Sequence, residues 1–173
     1  YMYYTNSQAK TQLESWYQTN IGSKSNLAKN VASGNYYCEQ AKTKYEVGVT
    51  SGSATMTLYN KYAPDFKCSS DGNGKGLVNA SVGLLSYDEV VYAGGYPYSS
   101  NNSYYLYNPA IHWWTMSPAG FSGSNSNVWN VDTSDIINYY YVNDVFRLRP
   151  VIILNADMLV TGTGTSSDPF VIS

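Results

Sequence analysis

The sequence predicts an α+β domain, and three observations carry that expectation. Apolar residues recur at helical spacing near the start, in Ala9, Leu13, Trp16, Tyr17 and Ile21. Short strand-like segments separated by long polar loops follow. The third observation is Ile111–Phe121, IHWWTMSPAGF, around which the rest is organised. Alternation puts Ile111, Trp113, Thr115 and Ser117 on one side of a strand and His112, Trp114 and Met116 on the other. A strand with a tryptophan on each face reads as central and covered on both sides. It is expected to end where Pro118 removes an amide donor.

Taken in order, Asn6 is placed to cap the first helix, and Gly22 to stop it. A second short amphipathic segment is expected over Asn26–Val31, ending at Ser33–Gly34. Residues 35–76 carry strand-like pieces such as Ala54–Tyr59, and Ser69–Gly76 (SSDGNGKG) is a turn-rich surface loop open to insertion or cleavage. Ser86-x-x-Glu89 is a capping box, with Leu85 and Val90 at the staple positions and Gly94–Gly95 ending the helix after two turns. Ser86 therefore reads as a cap and not as a nucleophile. After the Ser/Asn/Tyr loop Tyr96–Tyr107 and the central strand, Val128–Asp132, Tyr139–Val142 and Phe146–Leu154 read as further strands. Met158–Thr161 and Phe170–Ile172 form a closing hairpin around Gly162, Gly164 and Pro169.

The 173 residues fit one domain spanning 1–173, large enough to bury a real core. Aromatic residues, at 16% with 19 tyrosines, outnumber charged ones at 13%, which is the reverse of a disordered chain. The net charge of −2 and the lack of a basic run exclude a nucleic-acid backbone as partner. No stretch reaches the ~20 apolar residues of a membrane span. The start at Tyr1 suggests a mature or trimmed product with a targeting or anchoring segment upstream. Cys38 and Cys68 are either free thiols or one disulfide, and so polar and tyrosine-rich a chain favours the disulfide and an exported protein.

The order WYQTNI, YYC, FKC, GLLSYDEVVYAGG, WWTMSPAGF, FRLRPVIIL and GTGTSSDPFVI covers most of the chain. It resembles a domain common in exported proteins of Firmicutes and related bacteria. That domain is distantly similar to the formylglycine-generating (sulfatase-modifying) proteins, which have the C-type lectin fold. The resemblance implies a C-type lectin-like α+β fold: two helices and a small, twisted, mainly antiparallel sheet supporting long loops. The variable proteins of diversity-generating retroelements share that fold, and Ser122–Asp144 sits where they display randomised residues. Similar domains are also appended to pilin-like or membrane-anchored segments.

Oxidation of a substrate cysteine, the enzymatic option in this superfamily, needs a cysteine pair in the C-terminal half. This chain has no cysteine beyond Cys68, so a non-enzyme is expected. The lone His112 reads as a strand histidine packed on tryptophan or donating to a carbonyl, and Asp132 and Asp135 read as solvated turn residues. Calcium-dependent sugar binding is discounted: Asn108–Pro109–Ala110 and Trp129–Asn130–Val131–Asp132 both depart from the lectin tripeptides, and the first offers no carboxylate. No metal and no cofactor are expected. Arg147 and Arg149 read as internal partners of loop carbonyls or rings.

What remains is an aromatic, Asn/Ser-rich surface, the composition of recognition loops. The expected ligand-binding residues are Ser122, Ser124, Asn125, Asn127, Trp129, Asn130, Tyr139, Tyr140, Tyr141 and Asn143. Tyr96, Tyr98, Tyr104, Tyr105 and Tyr107 pose the same choice between recognition and bracing of long loops. The expected role is a non-catalytic adhesion module at a bacterial cell surface, taking a protein or glycan. The alternative is the outward domain of a pilus-like or surface assembly, whose partner is another copy of the chain.

Overall fold

In the computed structural model, which describes residues 4–39, 45–50, 53–58, 68, 76–97, 100–122, 125–134, 136–158, 160–165 and 167–172, Ser7 opens the first helix. Ser7 is extended at its own backbone and its Oγ accepts from Lys10 N at 3.1 Å, so it is the cap. Asn6 is displaced from that role because it lies in a 3-10 turn, Tyr4–Asn6. Helix α1 (Gln8–Tyr17) runs on into a π segment, Gln18–Gly22, closed by Ser23 N donating to Gln18 O. Leu13 and Tyr17 are buried, with Ala9 and Ile21 packed beside them. Trp16 falls off that stripe and is exposed, contrary to expectation. The short α2 (Ser25–Ala28) follows.

Strands β1 (Tyr36–Glu39) and β4 (Gly76–Asn79) form a small antiparallel sheet. Between them, β2 (Tyr45–Thr50) and β3 (Ser53–Leu58) form a hairpin that joins a larger sheet. Helix α3 (Tyr87–Tyr92) is followed by β5 (Tyr96–Pro97), β6 (Trp113–Ser122), β7 (Asn125–Val131) and β8 (Ile136–Tyr141). The larger sheet has the order β2-β3-β6-β7-β8-β5, antiparallel except at β5–β8. The mixture of short helices and mainly antiparallel sheets makes this an α+β fold. Residues 69–75, which hold most of the turn-rich loop, lie outside the described residues, as do Tyr98, Ser124 and Asp135.

Strand β6 is central, and its two tryptophans do face opposite cores. Trp113 is buried with Trp129, Val131, Ile137, Tyr87 and Val90. Met116 and Trp114 meet the other core, built by Leu13, Tyr17, Tyr37 and Val82. Pro118 does not end the strand. The β6–β7 register shifts between Trp114 and Pro118 and again before Gly120, so the proline sits among bulges where no ladder amide is required of it. The freed groups are satisfied from α3's approach. Met116 N donates to Leu85 O at 2.8 Å, and Tyr87 N donates to Ser117 Oγ at 2.9 Å. The capping box forms as expected, with Glu89 N on Ser86 Oγ and Ser86 N on Glu89 Oε2 at 2.7 Å.

Phe146–Leu154 is not one strand. It runs extended and makes isolated bridges to three places in turn: Arg147 to Trp113, Val151 to Gly83, and Leu154 to Val31. Pro150 lies inside it, and no single neighbouring strand accepts all of it. The segment is a strap tying both cores together. Tyr37 reaches it from β1, its hydroxyl donating to Val151 O at 3.0 Å. Burial pushes the Tyr37 phenol up to about 12, with the charges of Glu89 and Tyr17 adding to the shift. The closing hairpin is present as β9 (Val160–Thr161) paired with β10 (Val171–Ile172).

Candidate functional site

The expected recognition face divides into exposed and buried residues. Tyr139, Tyr140 and Tyr141 are 41%, 40% and 49% exposed at the end of β8, and Asn143 is exposed in the turn beyond. Asn125, at the start of β7, is exposed too. Three residues expected on this surface are instead inside it. Trp129 is 2% exposed, Asn130 is 0% exposed, and Asn127 is buried. The reason is strand parity: Trp129 shares the face of Val131 and Ile137, which is covered by α3. Tyr87 lies against it at 4.7 Å between ring centroids. Trp129 therefore supports the surface from below. The side chain of Ser122 lies outside the described residues, as does all of Ser124.

The three tyrosines do not share one face. The register Asn127↔Tyr141, Val128↔Tyr140 and Trp129↔Tyr139 puts Tyr139 and Tyr141 on the Trp129 side and Tyr140 on the other. Tyr139 meets Trp129 edge-on at 5.6 Å. Tyr140 meets His112 and Phe146 edge-on, each at 5.3 Å.

His112 is a packing residue, on different partners from those expected. Its ring stacks on Phe146 at 3.7 Å, and Trp114 closes on the same phenylalanine at 4.6 Å. Its Nε2–H donates to Asn130 Oδ1 at 2.7 Å, a side chain and not a carbonyl. Asn130 Nδ2 is buried without a partner among the described residues, and so is Trp113 Nε1. Sequence reasoning missed the His112–Asn130 pair. The signal was the pairing of a central-strand His with the strand that follows it.

Arg149 behaves as expected, donating from Nη1 to Leu106 O at 2.7 Å with its guanidinium carbon 5.2 Å above the Trp113 ring. Arg147 does not: its backbone pairs with His112 and Trp114, while its side chain is exposed. Asp132 is a turn residue, with Oδ1 accepting from Ser134 N and Ile136 N. Among the described residues no group of three His, Cys, Asp or Glu is placed to hold a metal. On the Tyr-rich loop, Tyr104 is buried, while Tyr96, Tyr105 and Tyr107 are exposed.

Residues 52–156 match the model of a domain of unknown function, DUF6273. The chain belongs to that family. The DUF6273 region takes in β3, the capping-box helix, β6 to β8 and the strap, and so contains every residue of the candidate face. It leaves out α1, β1 and the closing hairpin. A disulfide between Cys38 and Cys68 therefore stitches the DUF6273 region to the segment before it. No protein of curated function and no solved structure matches the chain. Among the described residues no helix is long and apolar enough to cross a membrane.

Proposed function

We propose that this domain is a non-catalytic recognition module with a C-type lectin-like fold, exported and displayed at a bacterial cell surface, binding a protein or glycan without metal. The observation that carries the reading is the end of β8, where three consecutive tyrosines stand exposed above two buried cores. Tyrosine offers large contact area at low entropic cost, and a rigid sheet beneath it removes the ordering penalty of a loop. Asn125 and Asn143 add adaptable hydrogen bonds at the rim. The disulfide supports the exported assignment, since such bonds persist in oxidising compartments. The order of motifs along the chain supports the lectin-like reading and the kinship with formylglycine-generating and retroelement-variable proteins.

The test is a screen of the purified domain against glycan and surface-protein arrays, with calcium and with chelator. The expected hit survives chelation and is lost in the triple variant Tyr139→Ala, Tyr140→Ala, Tyr141→Ala. A hit that needs calcium, or one indifferent to the three substitutions, overturns the reading.

A second reading is favoured by a separate observation. Every described residue from Val160 to Ile172 is exposed, including Phe170, Val171 and Ile172. A bare two-stranded hairpin is marginal in water, so a partner copy covering it would make the domain a surface-assembly subunit. Concentration-dependent oligomers lost on Phe170→Ser would favour that role, and a monomer at all concentrations would remove it.

A further inference from the structure

The His112–Asn130 pair has a third member. Asn130 on β7 lies directly opposite Asn138 on β8, so both side chains project from the same sheet face. Tyr140, two residues further along β8, is on that face as well, and its ring contacts His112 and Phe146. Two carboxamides and an imidazole thus converge among Tyr140, Phe146 and Trp114.

Each polar member has capacity left over. Asn138 Oδ1 accepts from Tyr139 N at 2.9 Å, which leaves its Nδ2 uncommitted among the described residues. His112 uses Nε2 on Asn130, which leaves Nδ1. Asn130 uses one end of its amide on His112 and keeps the other end buried and unpaired. Whichever end of that amide faces the imidazole, one end stays over. A buried amide group without a partner costs on the order of 1–3 kcal/mol, so the arrangement is poised for a group that supplies the missing bond.

We propose that this recess binds the acetamido group of an N-acetylated sugar. The leftover valences include both donors (the two asparagine Nδ2 groups) and an acceptor (His112 Nδ1), which an amide C=O and N–H satisfy together. The methyl of an acetamido group is small and apolar, matching the ring edges of Tyr140 and Phe146. No member of the cluster is charged, so the complement is a neutral ligand. Exposure of Tyr140 and partial exposure of Asn138 leave the rim open, while Asn130 forms the floor. The inference rests on the recognition reading above and assigns it a ligand class on the face opposite Tyr139 and Tyr141.

The probe is chitotriose, with cellotriose as the comparator lacking acetamido groups, titrated to millimolar concentration while the Asn side-chain amide resonances are followed by NMR. The expected result is movement of the Asn130 and Asn138 amide signals with chitotriose alone. Asn138→Ala, at a half-buried position, and His112→Phe, which keeps the ring stack, are each expected to weaken binding by about tenfold. Equal response to both sugars, silence at both asparagines, or unchanged affinity in the folded Asn138→Ala variant overturns the inference. An array ligand that is lost on Tyr139→Ala or Tyr141→Ala while chitotriose leaves the recess silent sinks only this inference. Chitotriose in the recess, with an array ligand indifferent to those tyrosines, sinks only the wider surface assignment.

Discussion

Gly83 and Tyr37 show how one missing side chain positions another. A Cβ at Gly83 would stand 2.4 Å from Tyr37 Cδ1, and the ring cannot retreat because its hydroxyl is held by Val151, the residue that bridges Gly83 itself. Gly83→Ala is therefore expected to destabilise the fold by about 1–3 kcal/mol in denaturant unfolding, an overpacking cost and not a loss of backbone freedom. Tyr37 also sets an alkaline limit. Its phenol is raised from 10.0 to about 12, so its contribution to stability is complete below pH 10 and is lost as pH rises toward 12, because the unfolded chain releases its proton first. Urea midpoints measured across that window should fall more steeply in the wild type than in Tyr37→Phe, whose decline reflects only the other tyrosines. Parallel slopes would show that Tyr37 does not carry the effect.

Among the elements, α3 is the most legible and the strap the least. The capping box needs only the four residues Ser86 to Glu89, and local grammar of that kind survives into any fold. Ser86→Ala is expected to cost about 1 kcal/mol in the unfolding midpoint and to leave surface binding intact. Alternation in Ile111–Phe121 likewise placed a tryptophan in each core, since parity depends only on neighbours. What it missed at Pro118 was tertiary: amides freed by the bulges are taken up by Leu85 and Ser117, which lie outside the strand's own pattern or act through a side chain. Phe146–Leu154 has the apolar run of a strand, yet its partners are three separate bridges that no local pattern encodes. In the candidate site the same division holds. A triple tyrosine must expose something, so Tyr139–Tyr141 were found. Trp129 and Asn130 were misplaced because a polar neighbourhood in sequence says nothing about the helix packed over it.

At the scale of the whole molecule, the closing hairpin stands outside both cores. Removing residues 159–173 is accordingly expected to leave the unfolding free energy within about 0.5 kcal/mol of the intact chain, the range of surface changes. A larger loss would place the hairpin in the cooperative unit. The Cys38–Cys68 bond is the opposite case. It closes a loop across 30 positions that contains the β2–β3 hairpin, the outer edge of the large sheet. Replacing both cysteines by serine should cost roughly 3–4 kcal/mol on the chain-entropy account.

That bond also has a mechanical meaning. A domain displayed on a cell and gripping a ligand is pulled whenever the cell moves, and the load runs along its backbone. With the thiols joined, tension passes directly from residue 38 to residue 68, and the intervening chain stays slack inside its covalent ring. In single-molecule stretching, reduction should release roughly 100 Å of additional contour length, the reach of 30 extended residues. An oxidised tether keeps that length in reserve, so the outer β2–β3 hairpin is shielded from the force that tests the rest of the fold.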